Sequence, residues 1–515
     1  MKSGGTYRIP VISDITSLDP ISGQFLSWTI GSQIFEGLVT YSRDESRIIP
    51  LLAESYEIND LRLTFHLRQG IHFHDDACFP GGKGRELTAN DVKYSFERGW
   101  AITSGHGVAS LEPFVGYEAF ITGKSPHVTG FRVVDKFTFQ IQLTRPNPGF
   151  LNDKIASLGF FIVPREAVDF YGEDFKLHPV GTGPFRFSEL VPNEKLILVR
   201  NENYWSSDNG VQLPYLDAVE YLLYSPGETE KMLLDFRTGK LDECTHDVAK
   251  LLEDLAELDE QGNLNLQGWL RDKSVQFVQD SVFRKLRYME IFESNKKVRQ
   301  AMSYSVDRKR LVEGQQSVFQ NYETARGPIA PNTIYFNPEL KGQYYDPDQA
   351  RRLLAEAGFP DGKGLPEYPF YYAPGPDADQ VVGNLRSLGF KIRKINKHPG
   401  WREVFERPGP LLAWMRNQTT SPEAYDVLDL VDGQPECMTD SVFWGAFQEW
   451  RKNEENFKNL DLLHRVEEIA CDLTPQVFLY HIGGDFRFLQ SYVRGRQLGN
   501  AWGHKLHYVW LDKGK

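Results

Sequence analysis

The chain has 515 residues, too many for one hydrophobic core and enough for roughly two to four domains. Its 41% hydrophobic and 25% charged residues exclude a disordered chain, and no run approaches the ~20 apolar residues of a bilayer span. A net charge of -12 repels phosphate backbones and anionic lipid, which argues against nucleic-acid and membrane-surface partners.

The start, Met1 to Ile9, lacks the apolar run of a leader, so Met1 is read as a start placed where a leader was removed. Leu61 to Leu67 alternates apolar and polar residues, the pattern of a half-buried strand. His72-Phe73-His74-Asp75-Asp76 follows. On a strand the two histidines share a side and could seed a metal site. The reading taken is a polar strand end entering a turn, and no metal or other cofactor is expected. Thr88-Ala89-Asn90-Asp91 has the spacing of a capping box, with Val92 and Phe96 on one helix face. Gly123-Lys124-Ser125 resembles the end of a phosphate-binding loop, but Glu118 stands where its first glycine is required. Phe131–Val134 and Phe137–Leu143, joined by Asp135-Lys136, predict a hairpin, and Leu196–Val199 predicts a short strand.

Leu251 to Glu260 is acidic and leucine-rich, which predicts a surface helix. Asn295 is placed to cap a helix carrying Val298, Ala301, Met302 and Ser305, and Asp307 to start another through Leu311 and Val312. Asp346-Pro347 opens a helix with the stripe Ala350, Leu353, Leu354 and Ala357, ended by Gly358. Pro and Gly clusters at 358–376 and 408–410 are read as loops. Leu411 to Met415 is an apolar run. The four cysteines, Cys78, Cys244, Cys437 and Cys471, contain no CxxC pair. Isolated buried thiols are expected, with a Cys437–Cys471 bridge as the alternative. No GxSxG or HExxH motif occurs, and the chain is read as not an enzyme.

Several segments, in order, resemble one family. They are Gly4-Gly5-Thr6-Tyr7-Arg8, Leu18-Asp19-Pro20, Ile34-Phe35-Glu36-Gly37-Leu38 and Leu51-Leu52-Ala53-Glu54-Ser55-Tyr56. Phe65 to Ile71, Leu87 to Val92 and Ser95 to Arg98 follow, then Val180-Gly181-Thr182-Gly183-Pro184-Phe185 and Asn201-Glu202-Asn203-Tyr204-Trp205. Val298 to Arg308 and Ala350 to Gly358 complete the set. Together they resemble the bacterial extracellular solute-binding proteins of family 5, the peptide/nickel class of ABC importers. The local physics of these blocks is structural: caps, stripes and a glycine-permitted turn at Gly181 to Pro184.

The resemblance implies an α/β, two-lobed periplasmic-binding-protein-like fold (type II) with an extra subdomain on a discontinuous lobe. Lobe 1 would comprise 1–42, 178–270 and 478–515, the subdomain 43–177, and lobe 2 271–477. It implies a substrate-binding component that captures an oligopeptide or peptide-like solute between the lobes and delivers it to membrane permease subunits. The protein would be a monomer, periplasmic or extracellular, with a lipid anchor on the precursor as one form of that location. In peptide-binding relatives an acidic residue in the second lobe pairs with the peptide ammonium. The comparable stretch here is Leu411 to Gln418, and Asn417 stands at the acidic position beside Arg416. An amide pairs weakly with an ammonium, and Arg416 suits a carboxylate or phosphate. An oligosaccharide, sugar-phosphate or opine-like conjugate is therefore the alternative ligand. A ligand sensor or chaperone-like interaction protein is the alternative of another class. The ligand-binding candidates are Phe25, Ser27 and Trp28 in the first lobe and Trp414, Arg416, Asn417 and Gln418 in the second. Trp414 reads equally as strand core. His481 and Trp502 are further conceivable contacts.

Overall fold

The computed structural model describes residues 4–22, 29–42, 47–59, 61–103, 114–144, 151, 155–156, 160–261, 263–277, 285–315, 317–319, 322–329, 331, 335–372, 376–396, 411–418, 440–452, 454–483, 486–496 and 505–513. The chain divides into two compact units, 1–278 with 485–515, and 279–484. Residues 106–110, grouped with the second unit, lie outside the described residues.

The first unit is assembled from distant stretches of chain. Its four-stranded sheet runs Thr6–Val11, Ala218–Leu223, Lys195–Arg200, Phe185–Val191, with the first pair parallel and the others antiparallel. A three-stranded sheet places Phe486–Gln490 between Glu243–Thr245 and Lys273–Phe277. One buried carboxylate ties these pieces together. Glu243 accepts from the Tyr7 hydroxyl at 2.6 Å and from Arg496 Nε at 2.6 Å, and Arg487 Nε stands 3.3 Å away. Its neighbour Asp242 accepts from the Arg8 backbone N–H at 2.8 Å, the Tyr492 hydroxyl at 2.5 Å and Lys513 Nζ at 3.2 Å. A buried charge is tolerated only when paired and hydrogen-bonded, so these contacts specify which segments meet.

A second buried carboxylate ties three of the sequence blocks. Glu36 accepts from Thr182 Oγ1 at 2.8 Å, the Tyr204 hydroxyl at 2.9 Å and Trp205 Nε1 at 3.2 Å. The neighbouring glycines differ from expectation. Neither Gly181 nor Gly183 has a positive φ. A Cβ on Gly181 would lie 2.1 Å from the Ile34 carbonyl oxygen, and one on Gly183 2.7 Å from that of Gln33. Close approach of backbones excludes a side chain there, rather than turn geometry. His74 is part of the same packing: its Nε2 donates to the Gly183 carbonyl at 2.9 Å and its Nδ1 accepts from the Gly181 N–H at 3.4 Å. Both ring nitrogens are thus committed to backbone.

The predicted strand at 61–67 and the predicted hairpin join Ala53–Asn59, a strand not predicted, in a four-stranded antiparallel sheet, in the order Ala53–Asn59, Arg62–Leu67, Thr138–Gln142, Phe131–Asp135. The Ala89–Thr103 helix packs on it through Phe96, 5.5 Å from the Phe139 ring and 5.9 Å from that of Phe131. Asp91 accepts from the Thr88 N–H at 2.8 Å, as in a capping box, and Arg85 bridges Asp91 to Glu166. Gly123 ends the short Tyr117–Ile121 helix with φ 72. The predicted helix over 251–260 does not form. A short Ala249–Leu252 helix gives way to the strand Ala256–Leu258, paired with Leu264–Leu266. Asp259 explains it: its carboxylate takes the N–H groups of Gln261 and Asn263 at 2.9 and 2.8 Å, a turn that competes with helix.

The second unit is a six-stranded mixed sheet, in the order Tyr322–Thr324, Gln476–Ile482, Lys285–Phe292, Leu411–Gln418, Glu367–Tyr372, Lys391–Asn396. The predicted caps form: Asn295 accepts from Lys297 N–H, Asp307 from Arg310 N–H and Asp346 from Gln349 N–H. The stripes Val298, Ala301, Met302 and Ala350, Leu353, Leu354 join the sheet residues Met289, Ile291, Leu412, Val477 and Leu479 in one core. The 358–376 region is not all loop, since it holds the buried strand Glu367–Tyr372. Its proline is compatible with that position: recorded pairing with Leu411–Gln418 begins at Phe370, beyond Pro369. Cys244 and Cys471 are buried and Cys78 is half-buried; Cys437 lies outside the described residues.

Two outcomes are expected. Arg496→Leu leaves Glu243 buried with Arg487 as its remaining cationic partner, so urea unfolding of the first unit should show a loss of about 3–5 kcal/mol. Burial pushes Glu36 up to about 7 from 4.5, against the donors that lower it. Its folded value exceeds the unfolded one, so its contribution is full below 4.5 and declines as pH rises to about 7. Burial pushes His74 down to about 4 from 6.5, so its contribution is full above 6.5 and declines as pH falls toward 4. Glu36→Gln should flatten the fall in stability above pH 4.5, by up to about 1.4 kcal/mol per pH unit, and leave the acid limb unchanged.

Candidate functional site

The apolar run at 411–415 forms part of the Leu411–Gln418 strand, inside the sheet of the second unit. Leu412 and Ala413 are buried. Register places Trp414 opposite Met289, Arg416 opposite Arg287, Asn417 opposite Leu286 and Gln418 opposite Lys285. The side chains of 414–418 are outside the described set; their backbone is placed.

Strand direction makes one edge of this sheet special. Glu367–Tyr372 is parallel to both Lys391–Asn396 and Leu411–Gln418, while Lys285–Phe292 is antiparallel to Leu411–Gln418 and to Gln476–Ile482. Four strands therefore end at one edge, the side at which open α/β sheets bind ligands. Both covalent connections to the rest of the chain leave from that edge. Lys285 pairs with Gln418 on one side and with Ile482 on the other. Residues 416–418 thus lie beside the points where the chain enters and leaves the unit.

Other residues converge on this edge. Tyr480 stands opposite Arg287, which stands opposite Arg416, so the three positions form one cross-strand row. The Tyr480 hydroxyl donates to Asp377 Oδ2 at 2.6 Å. Asp377 begins the Pro376–Ser387 helix, which follows the Glu367–Tyr372 strand. The Tyr322 ring lies 5.9 Å from that of Tyr480. His481 is buried, opposite Leu286 and Glu323. Sequence reasoning missed Tyr480 and Asp377. The available signal was Pro376-Asp377 as a helix start just after an apolar strand.

The family model described as bacterial extracellular solute-binding proteins, family 5 Middle, matches residues 47–430. The chain belongs to this family. Among family 5 relatives, heme-binding protein A of Haemophilus influenzae is 30% identical over 392 residues, covering 70% of this chain and 64% of that protein. The glutathione-binding protein GsiB of Pectobacterium atrosepticum is 29% identical over 364 residues, covering 69% of this chain and 61% of that protein. The chain thus spans less than two thirds of the length of these relatives. The solved structure of the ABC transporter-associated periplasmic binding protein DppA from Helicobacter pylori, in complex with the peptide STSA, matches with TM-score 0.75 at 20% identity over 99% of both chains. The fold of this family 5 chain is accordingly the two-lobed α/β fold of periplasmic binding proteins. Among the described residues no helix is long and apolar enough to cross a membrane.

Of the ligand candidates, Trp414, Arg416, Asn417 and Gln418 share one strand, whereas Phe25, Ser27, Trp28 and Trp502 lie outside the described residues. The chain before Phe25 is anchored at Asp19. Arg98 donates to both carboxylate oxygens of Asp19, at 2.9 and 2.6 Å, and stacks its guanidinium 5.3 Å from the Phe175 ring. A bidentate pair of this kind holds a segment in one register.

Proposed function

We propose that this protein is the substrate-binding component of an ABC importer, which captures a small anionic solute between its lobes and delivers it to a membrane permease. The solute is an oligopeptide or peptide-like molecule that presents a carboxylate to the second lobe. Family membership supports the carrier role. The observation that carries the ligand class is the row formed by Arg416, Arg287 and Tyr480 at the carboxyl edge of the sheet. Like charges at directly paired positions destabilise a sheet, and an anion bound across them offsets that cost, so the register favours an anionic ligand.

The mechanism is lobe closure. A solute that touches both lobes favours the closed state by the difference in its affinity for the two states. The protein acts as a monomer without catalysis, in the periplasm or outside the cell, and its precursor carries a leader or lipid anchor. The subdomain at 43–177 and the ligand contacts Phe25, Ser27, Trp28, Trp414 and Gln418 belong to the same reading. Asn417 in place of a carboxylate favours one second reading, an opine-like conjugate or sugar-phosphate, which also offers an anion.

Native mass spectrometry of freshly purified protein should reveal a retained small solute bearing a carboxylate or phosphate. Adding that solute should compact the protein in small-angle scattering. Arg416→Ala should weaken binding roughly 10- to 100-fold, the loss of a charge-assisted pair, with no loss of melting temperature in the ligand-free protein, since it removes one of two paired positive charges. Tight binding without compaction, or binding indifferent to Arg416→Ala, would overturn the proposal.

A further inference from the structure

A cavity of about 390 Å³ lies wholly within the second unit. Thr474 lines it, just before the start of the Gln476–Ile482 strand. The cavity is therefore at the opposite end of that strand from Ile482, and away from the edge that carries Gln418. Two helices and one loop form its walls. Lys296–Ser305 supplies Ser303 and Tyr304, Leu460–Leu473 supplies Glu468, and the 339–343 segment supplies Glu339.

The floor is electropositive. Ser303 is buried, and its hydroxyl accepts from Arg308 Nη2 at 3.0 Å. That hydroxyl donates to no acceptor among the described residues, and Ser303 lines the cavity. Arg308 behind it is also buried. Its partners are the carbonyls of Phe478, Ser303 and Val306, the Ser303 hydroxyl and the Gln343 side-chain oxygen. No carboxylate neutralises it among the described residues. Burial pushes its pKa down to about 9, which leaves it cationic at neutral pH. A hydroxyl that accepts from a cation is a strengthened donor.

The rim has the opposite sign. Glu339 and Glu468 are exposed, and neither forms an ion pair among the described residues. Asp472 is already paired with Lys296 at 2.5 Å, and Lys341 is the rim's one cation among the lining residues. Between floor and rim stands the Tyr304 ring, held edge-on by Tyr344 at 5.0 Å. An aromatic face beside carboxylates suits an ammonium group.

We propose that this cavity is a second ligand site, for a small zwitterion of amino-acid to dipeptide size. Its carboxylate accepts from the Ser303 hydroxyl at the floor. Its ammonium sits at the rim among Glu339, Glu468 and the Tyr304 ring. The site is independent of the one proposed at the carboxyl edge.

Calorimetric titration with alanyl-alanine, its N-acetyl form and its C-terminal amide tests this. In an Arg416→Ala background, which weakens the first site, alanyl-alanine should still bind. Each blocked form should bind roughly tenfold more weakly, the effect of one lost charge-assisted contact. Glu468→Gln should weaken alanyl-alanine to a similar extent and leave the N-acetyl form unchanged, because that form has no ammonium. Ser303→Ala should weaken the dipeptide more than its amide, whose carbonyl accepts without a charge. Glu468 is exposed, so its variant keeps the test decisive if Ser303→Ala does not fold. No binding at millimolar dipeptide in the Arg416→Ala background, or equal binding of all three forms, would overturn the proposal.

Discussion

The fold of the first unit depends on one buried carboxylate. Glu243 receives the hydroxyl of Tyr7 from the N-terminal strand and the guanidinium of Arg496 from the C-terminal stretch. Desolvating a carboxylate costs several kcal/mol, and close pairing must offset it. Three segments separated by hundreds of residues must therefore arrive together or leave a buried charge exposed to no partner. This constraint explains how a whole unit fits inside the other's sequence. Phe277 pairs with Phe486 in the first unit, and Lys285 pairs with Ile482 in the second. The chain leaves and returns on adjacent antiparallel strands, so the insertion does not disturb the sheet that Glu243 holds.

The blocks that mark the family are explained by the same logic. Glu36, Thr182, Tyr204 and Trp205 come from three blocks and satisfy one another. In the second unit Arg299 donates to the carbonyls of Leu473, Glu293 and Ser294, and Arg308 to those of Phe478, Ser303 and Val306. Both arginines belong to the Val298–Arg308 block, and both serve backbone carbonyls at helix and strand ends and in the turns beside them. Buried polar groups must be paired, and few residue types can do this for several carbonyls at once. The most recognisable parts of the sequence thus hold the fold.

Features written in local chemistry were legible. The caps at Asn295, Asp307 and Asp346 depend on side chains a few residues from the N–H groups they satisfy. The hairpin at Phe131–Asp135 and Thr138–Gln142 needs only alternation and a short turn. Features decided by competition or by register were not. Leucines at 251–258 suggested a helix face, but Asp259 captured nearby N–H groups. The strand at Glu367–Tyr372 lies within Gly/Pro-rich sequence because its pairing partners come from elsewhere. Tyr480 and Asp377 meet across more than a hundred residues, and no local spacing encodes that contact. Trp414 to Gln418 became candidates through the family resemblance, and the apolar run at 411–415 marks their strand; the arginine opposite Arg416 is a fact of register.

That register changes the meaning of Asn417. A carboxylate at this position would stand next to Arg416 in sequence and one step along the ladder from Arg287. Its side chain would face the other side of the sheet, but its charge would still lower the attraction available to an incoming anion. An amide adds no negative charge to the arginine row. It also forgoes the charge pairing that holds an ammonium. The two effects have the same direction: both reduce preference for a cationic end and raise it for an anionic one. On the proposed reading, a single neutral residue turns this edge from one that grips an amino terminus to one that grips a carboxylate. On that reading the ligand's anion binds across the paired arginine positions, which ties ligand binding to the local stability of the strand that carries the site.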